Sequence, residues 1–192
     1  MKHIKDIKKK IEWEKYYNPE FNWNSYRLYS ENKLSEDFIR EFKDKVWWDA
    51  VSIYVELSED FIREFQDNMF WDAITKYQKI SADFIREFQD DIYWHHIFQN
   101  DYFVLNVLTE DFIREFKDKL DWEDIVRYKE LSEDFIREFK NKVNWWFISA
   151  YQNLSEDFIR EFKDKVYWKM IFKCQKLSEE FKEEFKKELH TL

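Results

Sequence analysis

The residues best suited to binding a metal ion are His95, His96 and the single cysteine, Cys174. Successive residues on a helix point about 100° apart, so the two adjacent imidazoles cannot readily hold one ion. Cys174 is remote from both, and no two histidines have the i, i+4 spacing of a helical zinc site. The sequence therefore predicts neither a metal site nor a cofactor. It also predicts that Cys174, which stands where most repeats have tyrosine, packs as a small apolar side chain and not as a nucleophile.

Carboxylates and guanidinium groups recur at fixed positions, and this regularity decides their interpretation. Glu36 and Asp37 have counterparts in almost every copy of a repeated segment, whereas a catalytic pair is expected once, in a cleft. They predict helix caps and outer-face charge, and we expect no catalytic residue and no enzyme. A row of arginines could bind phosphates, but acids flank each one, which favours salt bridges. The row consists of Arg40, Arg63, Arg86, Arg114, Arg137 and Arg160.

The overall charge is acidic, with a formal net charge of -9. An acidic chain repels a polyanion, so nucleic acid is not the expected partner. Basic residues do concentrate at the start of the chain, and the simplest interpretation is a solvated helix face. The alternative function is nucleic-acid or nucleotide binding by this basic segment together with exposed aromatic rings. The segment contains Lys2, Lys5, Lys8, Lys9 and Lys10.

The inventory of special residues excludes several classes of protein. Glycine is absent and Pro19 is the only proline, so Gly-rich phosphate-binding loops cannot form. One cysteine cannot form an internal disulfide, which predicts a reducing, intracellular compartment. No signal peptide and no apolar run of about 20 residues is visible, so we expect no association with a membrane.

A tandem repeat organises the chain. The string Asp-Phe-Ile-Arg-Glu-Phe occurs six times, and a degenerate seventh copy begins at Leu177. The copies start 23 residues apart, except for one step of 28 residues. A fixed period in this range is typical of stacked repeat architectures. The complete copies begin at Leu34, Leu57, Ile80, Leu108, Leu131 and Leu154.

Each copy has the pattern of two short helices. Ser35, followed by two acids, is a typical helix start, and the apolar residues after it fall on one helical stripe. A second stripe begins at Trp48, after a turn in which Asp121 or Asn144 could cap the second helix in other copies. Helices this short need neighbouring units to pack against. The predicted fold is therefore all-α, an α-solenoid of tandem 23-residue helix-turn-helix repeats.

The ends and one irregular step complete the predicted organisation as a single structural domain. Residues 1–33 are interpreted as a diverged N-terminal capping repeat, because Trp23 and Tyr26 echo the second stripe. Residues 34–176 hold the six repeats, and residues 177–192 form a C-terminal capping helix, where Lys182 replaces the apolar isoleucine. The five extra residues lie within 98–108, and without glycine or proline they predict an extended helix or a helical turn.

The repeat resembles one found in proteins of giant DNA viruses of the mimivirus type. Those proteins carry arrays of Leu-Ser-Glu-Asp-Phe-Ile-Arg-Glu-Phe-Lys-Asp-Lys-Val-Asp-Trp, which stands here nearly whole in residues 34–48, 131–145 and 154–168. The resemblance covers about residues 34 to 190. It implies a viral protein, acting inside the host cell, most plausibly in the host cytoplasm. It implies no defined biochemical activity.

Against nearly identical first helices, the variable residues beside each anchor tryptophan carry the functional information. They should be partly or fully exposed, and neutral drift would seldom place large rings in water. We therefore predict a macromolecule-binding surface on the second helices, with a protein as the expected partner and a monomer as the expected form. Drift alone is the competing explanation. The predicted binding residues are Trp47, Asp49, Phe70, Asp72, Tyr93, His96, Asp124, Trp146, Phe147 and Lys169.

Overall fold

The computed structural model describes residues 14–189, and every regular element in that range is helical. The chain is an all-α solenoid of tandem helix pairs, which confirms the predicted fold class. It divides into two compact units, a first unit that ends at Gln78 and a second unit that begins at Lys79. The five N-terminal lysines of the alternative function lie outside the described residues.

The helices follow the repeat closely. A first helix of six residues and a second helix of seven alternate through the array. In chain order the helices are α1 Tyr26–Ser30, α2 Glu36–Glu41, α3 Trp48–Tyr54, α4 Glu59–Glu64, α5 Trp71–Tyr77, α6 Ala82–Glu87, α7 Glu110–Glu115, α8 Trp122–Tyr128, α9 Glu133–Glu138, α10 Trp145–Tyr151, α11 Glu156–Glu161, α12 Trp168–Cys174, α13 Glu179–Glu184 and α14 Lys186–Leu189. Short 3₁₀ segments lie at Glu14–Tyr17, Gln66–Asn68 and Trp94–Gln99, and a π turn lies at Phe103–Val107.

The first helices start as the sequence predicts but end earlier, because the chain leaves the helix at Phe42 and not near Lys45. Ser35 has an extended backbone, and its hydroxyl oxygen accepts a hydrogen bond from the Phe38 N–H at 3.3 Å. This bond satisfies one of the N–H groups that a helix leaves free at its start. After α2 the chain turns at Phe42 with φ of -113° and ψ of 23°. No residue in the described range has a positive φ, so the turns need no glycine.

The core consists of one apolar pair from each first helix and one aliphatic residue from each second helix. Phe38 and Ile39 are buried in α2, and Val51 is buried in α3. The corresponding residues of the later repeats are equally buried as far as Ile171, so the same three side chains recur in the core of these repeats. Because neither helix of a repeat is long enough to persist alone, this burial is what holds the pair in place.

Within each unit, anchor tryptophans join one repeat to the next. The Trp48 indole N–H donates to the Lys43 carbonyl at 3.2 Å, which fixes the ring against its own repeat. The ring centroid then lies 5.0 Å from that of Phe65 in the following repeat. Trp23 has the same relation to Phe42, at 5.0 Å, although its repeat is strongly diverged. The anchors are half-buried and packed against phenylalanine, as expected of residues that close joints.

The irregular step forms a helical turn, as predicted, but not one extended helix. The second helix of this repeat tightens into the 3₁₀ segment Trp94–Gln99, which Asn100 follows, and the π turn comes after it. Asn100 is buried, and its side-chain oxygen accepts a hydrogen bond from the Phe103 N–H at 3.2 Å. Phe103 fills the core between Phe98 and Phe112, at centroid distances of 5.8 and 5.5 Å. The extra residues therefore add core on one side, while Leu105 remains 78% exposed.

The prediction that Cys174 is packed was wrong, because its side chain is exposed. The cysteine ends α12 at the position that holds tyrosine in α3, α5, α8 and α10. That position points outward in every one of those helices, and its tyrosines are about half exposed. The small size of cysteine suggested burial, but the repeat position decides the exposure.

Candidate binding surface on the second helices

Consecutive second helices pack directly against one another within each unit. In the first unit α1 contacts α3, and α3 contacts α5. In the second unit α8 contacts α10, and α10 contacts α12. Residues at one repeat position therefore form rows across neighbouring helices. We call the outward side of these rows the second-helix surface.

A buried hydroxyl group holds the start of the next second helix at several joints. The Ser149 hydroxyl donates to the Trp145 carbonyl at 2.7 Å and accepts from the Tyr167 N–H at 2.9 Å. Ser52 makes the equivalent bonds to Trp48 and Phe70, at 2.9 and 3.1 Å. We call this arrangement the hydroxyl staple.

The first joint forms the staple with a phenol. The Tyr29 hydroxyl donates to the Trp23 carbonyl at 3.0 Å and accepts from the Trp47 N–H at 2.7 Å. Burial of this phenol raises its pKa, although the hydrogen bond from Trp47 acts in the opposite direction. The N–H of the residue before the anchor tryptophan is therefore satisfied by a tyrosine at this joint and by a serine at the other two.

The staple explains which residue precedes each anchor tryptophan. Where a hydroxyl group is present, the next repeat carries an aromatic residue with no capping side chain, as at Trp47, Phe70 and Tyr167. Where the staple position is apolar, the next repeat carries a residue that caps its own helix. Asp121 follows Phe98 and accepts from the Glu123 and Asp124 N–H groups, and Asn144 follows Val126 and accepts from the Trp146 N–H. The variation at this position is thus partly structural.

A glutamine just after the second helix forms a second inter-repeat contact, the glutamine clamp. The Gln152 side-chain nitrogen donates to the carbonyls of Val126 and Lys129 at 2.6 and 2.8 Å, and its oxygen accepts from the Leu131 N–H at 2.8 Å. Gln78 and Gln175 make equivalent bonds. Three backbone groups that an irregular connection would leave unpaired are therefore satisfied by one side chain.

At the joint between α1 and α2, the residue in the position of the clamp glutamine is Val55. A cavity of about 630 Å³ lies beside it, lined by Tyr29, Asn32, Leu34 and Tyr54 among others. The Leu34 N–H bonds there to the Asn32 carbonyl, at 2.9 Å, in place of a glutamine oxygen. Neither the clamp nor the cavity was predicted from the sequence, because the glutamine recurs in only three of the six repeats.

The structure divides the ten predicted binding residues between the two units. The first unit holds four of them. Trp47 and Phe70 are 40% and 41% exposed, and Asp49 is exposed as well. Asp72 is half-buried and forms a salt bridge with Lys76, at 3.0 Å within α5, so its charge is largely compensated.

The other six residues lie in the second unit. Tyr93 is 42% exposed, and its ring stacks on the half-buried ring of His96 with centroids 6.3 Å apart. Lys169 is exposed, and Asp124 is half-buried, 3.8 Å from Arg127. Trp146 and Phe147 are half-buried. The prediction of partial or full exposure thus holds for these residues.

The same expectation was wrong for two neighbouring positions. Ala50 and Ala73, the second residues after their anchor tryptophans, are both only 1% exposed. At this position Phe147 lies against Arg127 of the preceding second helix, and the short alanine side chains do not reach solvent. In later repeats the larger His96, Asp124 and Phe147 extend past the contact and become half-buried.

An aromatic cluster lies on α10, within the second-helix surface. The ring centroids of Trp146 and Phe147 are 5.0 Å apart, and Tyr151 lies 5.8 Å from Phe147 and 6.3 Å from Trp146. The Arg127 guanidinium of the preceding repeat lies 5.5 Å from the Phe147 ring centre. We call Trp146, Phe147 and Tyr151 the aromatic cluster. Its rings shelter one another but remain accessible, since Tyr151 is about half exposed.

The charge around the cluster is uneven. Burial raises the pKa of Asp124, and the nearby carboxylates of Asp121 and Glu123 raise it further, while Arg127 lowers it. Three acids therefore crowd the first turn of α8, with one arginine beside them. On the other side of the cluster, α12 carries Lys169 and Lys173, both exposed.

The tyrosines that end the second helices are exposed. The sequence interpretation did not assign them to the surface, because it placed Tyr54 beside the apolar stripe. Each tyrosine lies seven residues after the residue that precedes the anchor tryptophan. Seven residues are about two helical turns, so both residues lie on the same side of the helix. This spacing could have revealed them. The exposed members are Tyr54, Tyr77, Tyr128 and Tyr151.

The arginine row on the first helices is occupied by salt bridges between repeats. Arg137 Nε donates to Glu161 in the following repeat at 2.8 Å, and its guanidinium lies 5.0 Å from the Phe158 ring centre. Hydrogen bonding of its guanidinium to the Glu161 carboxylate raises the pKa of Arg137. Other arginines repeat this geometry, which favours the salt-bridge interpretation over phosphate binding. They are Arg40, Arg86, Arg114 and Arg160.

Within residues 14–189 no three histidine, cysteine or acidic side chains are grouped to hold a metal ion, and no helix there is long and apolar enough to cross a membrane. No protein-family model, curated protein or solved structure matches the chain. The candidate site therefore stands on its own geometry.

Proposed function

We propose that this chain is a non-enzymatic repeat scaffold that binds another protein through the second-helix surface of its second unit. The observation that carries the proposal is the aromatic cluster of Trp146, Phe147 and Tyr151, three large rings held together on the outward side of α10. Clustered, accessible aromatic rings bordered by charge are typical of the energetic centres of protein interfaces. The first-helix side, by contrast, offers repeated ion pairs that are already satisfied.

The resemblance of the repeat to giant-virus proteins supplies the setting of this proposal. We infer that the protein acts in the cytoplasm of the host cell and that the partner is a host factor. Its acidic net charge of -9 disfavours a nucleic acid in that role.

Paired surface variants test the proposal. The chain, carrying an affinity tag, is incubated with host-cell lysate, and the bound proteins are compared by mass spectrometry. Trp146→Ala combined with Phe147→Ala should remove a specific partner, because the variant loses most of the aromatic contact area. Arg137→Ala combined with Arg160→Ala should retain it.

Folding must be controlled because both rings are half-buried. Circular dichroism and thermal melting of each variant provide that control, and the single changes Trp146→Gln and Phe147→Gln serve if the double variant unfolds. Retention of every bound protein by the folded aromatic variants, or loss with the arginine variant alone, would place the interface elsewhere.

A further inference from the structure

The second-helix surface of the second unit has a charge order as well as an aromatic centre. One repeat position, directly after the anchor tryptophan, holds Glu123 on α8, Trp146 on α10 and Lys169 on α12. The next position holds Asp124 and Phe147 on α8 and α10. These helices pack side by side, so each row begins with an acidic residue on α8 and continues with an aromatic residue on α10. The first row then ends with a lysine on α12.

The two charged ends are not neutralised equally. The start of α8 carries Asp121, Glu123 and Asp124, and within residues 14–189 the one salt bridge to these acids joins Arg127 to Asp124. On α12, Lys169 and Lys173 form no salt bridge with any carboxylate in the described part of the chain. The surface therefore offers a negative end, a ring-lined middle and a positive end.

The spacing of the rows selects a backbone conformation for the partner. Packed helix axes are about 8–10 Å apart. A polyproline II segment has three residues per turn and rises about 3.1 Å per residue, so residues i, i+3 and i+6 lie on one side about 9 Å apart. An extended β-strand, whose side chains alternate, would turn residue i+3 away from the surface.

We propose that the second-helix surface binds a polyproline II segment with a basic residue at i, a proline at i+3 and an acidic residue at i+6. This inference rests on the proposed function and specifies its partner chemistry. The basic residue pairs with the acidic turn of α8, and the acidic residue pairs with Lys169 and Lys173. The proline ring packs on Trp146, Phe147 and Tyr151, since aromatic-lined surfaces suit the preformed polyproline helix.

Fluorescein-labelled peptides with blocked termini test the charge order by fluorescence anisotropy. Lys-(Pro)₅-Glu should bind about fivefold more tightly than Lys-(Pro)₅-Lys or Gln-(Pro)₅-Gln, which corresponds to about one exposed ion pair. The variant Lys169→Glu with Lys173→Glu should reverse this preference and favour Lys-(Pro)₅-Lys. Lys140→Glu with Lys163→Glu, the same change of charge beside the first helices, should leave the preference unchanged.

A label on Cys174, which is exposed and is the only cysteine, can determine the direction in which the peptide lies on the surface. A nitroxide on its sulfur should broaden the NMR signals of the peptide glutamate more than those of the lysine, because α12 binds the acidic end. Equal affinity for all three peptides, no measurable binding, or an unchanged preference in the lysine variant would overturn the inference. If any of these results is found but the Trp146 and Phe147 variants still lose a captured protein, the polyproline inference fails and the proposed function stands. If those variants lose no captured protein, the proposed function fails as well.

Discussion

Ser149 illustrates how one buried hydroxyl group shapes the surface of the neighbouring repeat. It has no accessible surface, and it serves as donor to one repeat and acceptor for the next. With the Tyr167 N–H satisfied in this way, residue 167 need not cap α12. An aromatic side chain can then stand at the start of the helix, about half in solvent.

Ser149→Ala should destabilise the second unit by about 1–2 kcal/mol, because it leaves the part-buried Tyr167 N–H without its partner. Urea unfolding followed by circular dichroism measures the change. Ser149→Thr is the matched control, since Thr75 already occupies the equivalent position with no exposed surface. Equal losses from both substitutions would show that packing and not the hydroxyl group matters.

Glu156 gives a residue-level prediction for pH. Its carboxylate accepts from the Ser178 N–H at 2.7 Å, and hydrogen bonds from Ser178, together with the charge of Arg160, lower its pKa. A carboxyl whose folded-state pKa is lowered contributes stability that is complete above its ordinary pKa, about 4.3, and is lost as pH falls through the lowered value. Urea midpoints between pH 7 and pH 3 should therefore fall less for Glu156→Gln than for the native protein.

Glu180→Gln is the control for this measurement, because Glu180 is exposed and has no hydrogen-bond partner in residues 14–189. The same acid-dependent loss in native protein and in Glu156→Gln would show that the Ser178 contact does not contribute.

At the scale of the elements, the glutamine clamp holds the connection between helices at three joints. At the joint between α1 and α2, Val55 leaves the equivalent backbone groups without a glutamine, beside the cavity of about 630 Å³. Val55→Gln should place its side chain within reach of the Tyr29 and Asn32 carbonyls and the Leu34 N–H. We expect a gain of about 1 kcal/mol in the free energy of unfolding.

Denaturant unfolding measures that gain, with Val55→Leu as the control that adds volume but no hydrogen bond. The converse change, Gln152→Met, should destabilise the second unit by about 2 kcal/mol, since three backbone groups lose their partner. A stabilising Val55→Leu together with a neutral Val55→Gln would refute the clamp as the cause.

The helix pair itself was predictable from the sequence because its signals are local. Ser35 and its counterparts mark the first helices, and the recurring tryptophans mark the second. The clamp and the staple were not predictable, because Gln152 and Ser149 bond to residues 18 to 26 positions away and recur in only some copies. The aromatic surface was predicted from variation, yet the sequence alone could not reveal that Trp47, Phe70 and Tyr167 depend on a hydroxyl group in the preceding repeat.

At the scale of the whole molecule, the last described first helix differs from the others in one apolar position. Lys182 is exposed and forms a salt bridge with Glu179, at 2.7 Å, where Ile159 of the preceding repeat is fully buried. Lys182→Ile would expose an apolar side chain of the kind that each repeat uses to receive its neighbour. We expect concentration-dependent self-association, measured by sedimentation velocity, whereas Lys182→Gln should leave the native sedimentation unchanged. A Lys182→Ile variant that sediments like the native protein at all concentrations would contradict this expectation.

The inter-repeat bonds have a further consequence for how such a gene can change in length. Arg137 reaches 24 residues ahead, Ser149 reaches 18, and Gln152 reaches back 21 to 26. Unequal recombination between the near-identical Asp-Phe-Ile-Arg-Glu-Phe coding segments would add or remove one 23-residue period and preserve each of these distances. The copies are nevertheless not freely interchangeable: a crossover that brings the Val126 copy directly before the Tyr167 copy would join two repeats with neither a staple nor a self-capping residue. We therefore expect a recombinant joint to be stable when the aromatic residue follows a repeat that supplies the accepting hydroxyl group, or when the incoming repeat caps its own helix as Asn144 does.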